Sequence, residues 1–380
     1  MSTGALPEGL GGRVPVGRRV LFSDRRRGAL TVAGVAAALL LVLVLDAVFA
    51  GALDRVTHYI RTSPADVFVS QAGVRTMHMS VSTLPAATAN RAAAVPGVAW
   101  VAPIGFVSGP VGGPSGRQLS YVIGYDPTTG RGGPTQLVQG RPPRDGDAII
   151  DELAADQLGL AVGDTITVLG ASLRVTGLST GGTSITNTTV FVSRDQFAAM
   201  RGGATSYLLV RGDGSVSPDI LARRLGDVLP GTTAQTREQF TASESRIVTD
   251  MSADLLRLMS LIGLLIALAV IALGLLTATL ARLRDYAVLK ALGANTAHLA
   301  GTVASQVLWT VTIALVAATA VAIVVSAALP GVAPTLQLTI TGGSVIRLGL
   351  AALVAGTLAA LLPLRRLATV DAATAFRESR

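Results

Sequence analysis

From Ala29 to Leu45 the chain carries no charged residue, and with Asp46 to Ala50 the same segment reaches residue 50. At 1.5 Å per residue a helix of about 22 residues crosses the roughly 30 Å hydrocarbon core of a bilayer. This is the first expected span, 29–50. A cleaved signal peptide is the rival reading, but the run is long for one, and neither a cleavage signal nor a polar mature start follows it. Half of all residues are hydrophobic and only 14% are charged, the balance of a membrane protein rather than a soluble domain.

Three further apolar stretches follow. Leu258 to Ala281 carries no charge and sets the second span, 255–281. The run from Leu299 to Ile346 is too long for one helix and is interrupted at Pro330, Gly331 and Pro334, where a turn is expected. It divides into a third span, 299–329, a short loop, 330–344, and a fourth span, 345–364. Arg347 stands at the outer end of the last, where its stem can snorkel to the headgroups.

Lys and Arg resist translocation, so their positions in short flanks set orientation. Arg13, Arg18, Arg19, Arg25, Arg26 and Arg27 precede the first span; Arg282, Arg284 and Lys290 lie between the second and third; Arg365, Arg366, Arg377 and Arg380 follow the fourth. The loop 330–344 has none. Both termini, 1–28 and 365–380, and the loop 282–298 are therefore expected in the cytoplasm, and 51–250 outside it. The net charge of +8 is then a topology signature and not a nucleic-acid footprint.

The external segment reads as an α+β domain, with short alternating runs between Gly- and Pro-rich turns. Strands are expected at Asp66 to Ser70, Val98 to Phe106, Ala148 to Asp151, Thr165 to Leu169 and Tyr207 to Arg211. Helices are expected at Leu84 to Ala94, Glu152 to Leu158 and Pro218 to Leu229. Ser172 to Leu178 and Thr188 to Ser193 read as a hairpin-like pair. Two subdomains are expected, 51–107 with 204–247, and 108–203. The fold class is thus a membrane protein of four transmembrane helices, with one α+β extracytoplasmic domain inserted between spans one and two.

Little chemistry is legible. The chain has no cysteine, which excludes disulfides and thiolate sites. Lys290, the only lysine, sits in Val-Leu-Lys-Ala-Leu, so there is no P-loop. Asp145, Asp147, Asp151, Glu152, Asp156 and Asp164 match no calcium loop and read as solvated strand ends. His58 and His78 lack a zinc-binding pattern and read as surface or packing residues. Arg211, Gly212 and Asp213 spell an adhesion tripeptide but read equally as a turn. No nucleophile motif and no intramembrane charge pair are evident. Asp46, near the outer end of its span, is expected to be met by water or Arg55. No catalytic, cofactor-binding or metal-binding residues are expected.

The most specific stretch is Arg284-Asp285-Tyr286-Ala287-Val288-Leu289-Lys290-Ala291-Leu292-Gly293-Ala294. As a helix it aligns Tyr286, Leu289 and Gly293 on one side, an amphipathic segment against the membrane with Gly293 as its stop. It resembles the cytoplasmic loop of FtsX-like and MacB-like permeases of ABC transporters, with Asp285 in place of their Glu and Lys290 in place of their Arg. The end from Arg365 to Arg377 resembles that family's terminus, with Ala372 in place of its Pro and Phe376 in place of its Leu. Val95-Pro96-Gly97-Val98, Gly140-Arg141-Pro142 and the run from Asp151 to Thr165 are similar to the external domain of MacB-like members.

The resemblance implies a permease subunit that is not itself an enzyme and binds no cofactor, the ATP being held by a separate ABC ATPase subunit. That subunit would be felt through Arg284, Asp285, Tyr286, Leu289, Lys290, Leu292 and Gly293. It implies a homodimer or a heterodimer with a similar permease in the bacterial inner membrane, in contact with lipid and not with nucleic acid. Some relatives work with a periplasmic adaptor or a cell-wall hydrolase, so export and mechanotransmission are both implied modes. The alternative reading is an ATP-independent membrane-anchored sensor or scaffold.

Overall fold

The computed structural model describes residues 25–78, 80–183, 188–281, 296–329 and 338–369. These form two units, a helical one drawn from residues up to 47, 255–327 and 339 onward, and an α+β one centred on 48–254. The loop residues Arg284 to Ala294, the turn at Pro330, Gly331 and Pro334, and the terminus beyond Thr369 lie outside the described residues.

The helical unit is built from α1 (Arg25–Thr62), α6 (Arg237–Ala281), α7 (Thr296–Ala328) and α8 (Gly342–Thr369), of which α1 and α6 also contribute to the α+β unit. Among the described residues, three segments are long and apolar enough to cross a membrane: Gly28–Thr62, Val303–Ala328 and Gly342–Leu361. A shorter apolar run, Leu261–Gly274, lies within α6, where the second span is expected. Small residues let these helices approach closely. Ala314, Ala318 and Ala322 form a buried stripe at helical spacing on α7. A side chain at Gly263 would overlap Val42, and one at Gly356 would overlap Val307. On the outer faces Val316, Val324, Leu350 and Val354 are each at least 60% exposed. Water penalises such surface at about 25 cal/mol per Å², whereas lipid does not.

Asp46 has a partner that the sequence reading did not give it. Its carboxylate lies 3.7 Å from the Arg347 guanidinium, so a charge pair joins α1 to α8. Arg55 is engaged elsewhere, donating to the Thr183 carbonyl. The reason is topological: Asp46 and Arg347 are 301 positions apart, and only helix packing brings them together.

In the α+β unit the elements between α1 and α6 run β1 (Val67–Gln71), α2 (Ala87–Ala93), β2 (Val98–Gly113), β3 (Gly116–Tyr125), β4 (Leu137–Gly140), β5 (Asp147–Asp151), α3 (Glu152–Leu158), β6 (Thr165–Val168), β7 (Ala171–Ser179), β8 (Thr188–Ser193), α4 (Arg194–Arg201), β9 (Tyr207–Gly212), α5 (Pro218–Val228) and β10 (Thr232–Thr236). The ten strands pair in the order β10-β1-β9-β2-β3-β8-β5-β7-β4, with β6 joining β2 and β7. β2 joins the two halves of this path. Its residues from Val98 to Ile104 pair with β9, and those from Gly105 to Gly113 pair with β3. The strand expected to stop at Phe106 therefore continues, although Gly105, Gly109, Pro110 and Gly112 weaken its strand signal.

The segments Ser172 to Leu178 and Thr188 to Ser193 are strands, but not a hairpin. β5 lies between them, parallel to β7 and antiparallel to β8. All five residues of β5 are buried, and a strand buried on both faces satisfies its backbone by pairing on both edges. The helix expected from Leu84 begins later, because Leu84 bridges Thr205 and accepts no helical role.

Local chemistry accounts for several boundaries. The Asp151 carboxylate caps α3 by accepting from Leu153 N, and Gly159 ends that helix in the left-handed region at φ 66°. Ser193 caps α4 by accepting from Gln196 N. Between β6 and β7, Leu169 (φ 52°) and Gly170 (φ 89°) make the two-residue turn, the left-handed pair that suits the twist of a hairpin.

Gly105 and Gly124 face each other across β2 and β3, and Phe197 of α4 covers both. The ring occupies the space that two side chains would fill. Gly124→Val is expected to displace Phe197 and destabilise the unit by about 1–3 kcal/mol through overpacking. Faster hydrogen exchange in β3 and α4 of the full chain would report it, and unchanged protection would show that the glycine pair carries no packing role.

Candidate functional site: two helix roots held by buried carboxylates

Both α1 and α6 end inside the α+β unit, and each root is fixed by a buried carboxylate. The start of α6 is encoded locally. Thr236 Oγ1 accepts from Gln239 N at 3.2 Å and Gln239 Oε1 accepts from Thr236 N at 3.1 Å, a reciprocal capping box. One turn in, the fully buried Phe240 stacks on Phe68 with ring centroids 4.9 Å apart. Glu244 follows four residues later on the same face.

Glu244 is 1% exposed. Its carboxylate accepts from Met77 N at 2.7 Å and His78 N at 3.3 Å, and meets His78 Nδ1 at 2.7 Å. Three groups on one short segment thus converge on one carboxylate, which offsets the cost of burying its charge. Aromatic rings close the surroundings. The His78 ring lies 4.4 Å from that of Tyr121, and the Tyr207 hydroxyl donates to the Thr76 carbonyl at 3.1 Å. Burial, and then the Glu244 charge, push the Tyr121 phenol up to about 12 and raise that of Tyr207 as well.

At the α1 root, Ile60 is fully buried. The Tyr59 hydroxyl donates to the Gly132 carbonyl at 2.8 Å, and Thr62 and Thr135 share a hydroxyl bond of 2.8 Å. Arg55 reaches the Thr183 carbonyl, and the Thr183 hydroxyl in turn donates to Asp151. Asp151, with no exposed surface, also accepts from Gly182 N at 2.7 Å and caps α3. One carboxylate therefore joins β5, α3, the segment at 182–183 and, through Thr183, the end of α1. The His58 ring packs over Gly181, where φ of 83° and the missing side chain allow the close approach.

Asp147 and Asp151 depart from the expectation of solvated strand ends. Asp147 is 8% exposed, pairs with Arg141 at 2.9 Å and accepts from Arg144 N at 3.1 Å. The five residues of β5 cannot show this in sequence, because the strands that enclose it on both edges, β7 and β8, lie elsewhere in the chain. His78 is a carboxylate partner, not an isolated histidine. Arg211 is tied to Asp66 at 3.2 Å, and Asp213 accepts from Ser215 N at 2.8 Å, which makes the tripeptide a strand end followed by a turn. Among the described residues no three His, Cys, Asp or Glu side chains group as metal ligands.

The proposed ATPase-facing residues Arg284, Asp285, Tyr286, Leu289, Lys290, Leu292 and Gly293 lie outside the described residues. The sequence reading did not single out Glu244. A signal existed: a carboxylate four residues after Phe240, on the stripe that the helix turns inward.

Residues 29–228 match the MacB-like periplasmic core domain, and residues 257–372 match the FtsX-like permease C-terminal domain. An uncharacterized ABC transporter permease of Mycobacterium tuberculosis, found in strains H37Rv and CDC 1551, is 28% identical over 354 residues, covering 93% of this chain and 96% of the relative. The periplasmic region of MacB from Actinobacillus actinomycetemcomitans aligns at 14% identity and a TM-score of 0.38, over 48% of this chain and 94% of that one. The extracellular domain of the noncanonic ABC-type transporter YknZ from Gram-positive bacteria aligns at 13% identity and a TM-score of 0.37, over 45% of this chain and 99% of that one. The family matches cover the apolar helices as well as the α+β fold, and this chain accordingly belongs to the FtsX-like and MacB-like family of ABC transporter permeases.

Proposed function

We propose that the chain couples ATP hydrolysis by a separate ATPase subunit to movement of its extracytoplasmic α+β domain, for export or mechanotransmission. Four spans, 29–50, 255–281, 299–329 and 345–364, place both termini and the loop 282–298 in the cytoplasm of a bacterial inner-membrane protein. The subunit works as a dimer, with itself or with a similar permease. Energy enters where the ATPase meets Arg284, Asp285, Tyr286, Leu289, Lys290, Leu292 and Gly293. The external domain has two lobes, 51–107 with 204–247, and 108–203.

One observation carries this reading. α1 and α6 are single helices of 38 and 45 residues, about 57 and 68 Å long. The far end of each is embedded in the α+β unit by a buried carboxylate network. A continuous helix passes on an axial displacement that a loop would absorb. Membership of an ABC permease family implies the ATPase partner and suggests a subunit without catalysis of its own.

Asp285→Ala and Gly293→Leu, each purified with the ATPase, are expected to lower ATP turnover severalfold while leaving the α+β unit folded. Turnover equal to that of the unaltered complex in both variants would sink the coupling role of this loop.

A further inference from the structure

We propose that Arg75 and Arg246 form a binding site for a small hydroxylated anion, a phosphate carried on a polyol. Both side chains border one cleft of about 400 Å³, which is also lined by Thr233, Gln235, Gln239 and Ser243. That volume is within the range of small-molecule sites, about 300–1,000 Å³. Arg75 follows β1, Gln235 belongs to β10, and Arg246 lies one short step beyond Glu244 on α6.

Charge identifies the ligand's head. Arg61, Arg141, Arg211, Arg237 and Arg347 each have a carboxylate partner. Arg75 and Arg246 have none among the described residues, and no carboxylate lines their cleft. Of the acidic groups on the packed elements, Glu244 is committed to His78, Glu238 to Arg237 and Asp219 to the Gln239 amide, and Asp250, one turn beyond Arg246 on α6, forms no ion pair with it. Two guanidinium groups on one cleft repel each other until an anion enters, and their planar donors suit phosphate oxygens.

The wall identifies the rest. Gln235 Nε2 donates to Ser243 Oγ at 3.0 Å, yet Gln235 Oε1 is buried with no hydrogen-bond partner. An orphaned buried acceptor costs about 1–3 kcal/mol, and a turn of the Gln235 amide that brings Oε1 to a ligand hydroxyl in the cleft removes that cost. Inorganic phosphate has only its own P–OH to offer this acceptor, whereas a phosphate-bearing polyol keeps its phosphate oxygens on the two guanidinium groups and offers a separate carbon-borne hydroxyl. The site is independent of the ATPase reading, since binding needs no nucleotide.

The same chemistry has two sources, free glycerol phosphate and the headgroup of phosphatidylglycerol. The test uses the full chain in nanodiscs. Those of phosphatidylcholine receive glycerol phosphate, inorganic phosphate or glycerol; a second set contains phosphatidylglycerol and receives none. Thermal unfolding is expected to rise by several degrees, saturably, in one of the two arms, and that arm names the source. Within the free-ligand arm, glycerol phosphate should bind more tightly than inorganic phosphate. Arg75→Gln and Arg246→Gln should each weaken binding about tenfold, while Arg91→Gln, on α2, should not. Arg75→Glu should raise the unfolding midpoint without ligand, by pairing with Arg246, and abolish the response. A shift absent from both arms, or undiminished in Arg75→Gln and Arg246→Gln, overturns the proposal.

Discussion

Glu244→Ala is expected to loosen the root of α6 and destabilise the α+β unit by about 3–5 kcal/mol, the usual cost of removing one partner from a buried charge network. The alanine leaves Met77 N and His78 N without an acceptor and strands the His78 imidazole among Phe106 and Tyr121. Glu244→Gln keeps one acceptor oxygen in place and should cost less. The prediction is checked by denaturant unfolding of the full chain, with hydrogen exchange at Met77 and His78 as the local reading. A combined Glu244→Ala and His78→Ala variant should be less damaging than the sum of the two, because each single change orphans the other's group. Strict additivity would show that the two side chains do not act as a pair.

Asp151→Ala should have the second largest effect, about 2–4 kcal/mol. It removes the α3 cap, worth about 1 kcal/mol, and leaves Gly182 N and the Thr183 hydroxyl unpartnered at a buried position. Asp151→Asn preserves an oxygen for Leu153 N but turns an amide group toward Gly182 N, donor against donor, so it should recover only part of the loss. Because Thr183 also receives Arg55, the α1 root should loosen with it. Amide exchange at Leu153, Gly182 and the last turns of α1 separates these effects. Protection unchanged at the end of α1 would mean that Arg55 does not depend on Asp151.

These two positions mark where reading by periodicity stops. Strand β8 was legible at Thr188 to Ser193, because β-branched residues dominate it, and helix α3 because Asp151 and Gly159 bracket a helical run. β3, β4, β10 and α4 were not anticipated. Gly116 and Gly124 dilute β3, β4 has only four residues, and β10 is Thr-Thr-Ala-Gln-Thr with little apolar content. Their stability comes from partners far along the chain: β3 from β8, and β10 from β1. Asp151 likewise looks like any polar strand end until β7 and Gly182 enclose it.

The sequence by itself determined that this chain has apolar segments of bilayer length, where its basic residues stand in their flanks, and that an α+β segment lies between apolar helices. Those properties are sums over neighbouring residues, and hydrocarbon length and charge placement are local quantities. Only the tertiary structure decided that β5 separates β7 from β8, that Asp46 meets Arg347, and that Glu244 and Asp151 hold the ends of α6 and α1. Each of these joins residues distant in the chain, and a buried carboxylate differs from an exposed one only in what packs around it.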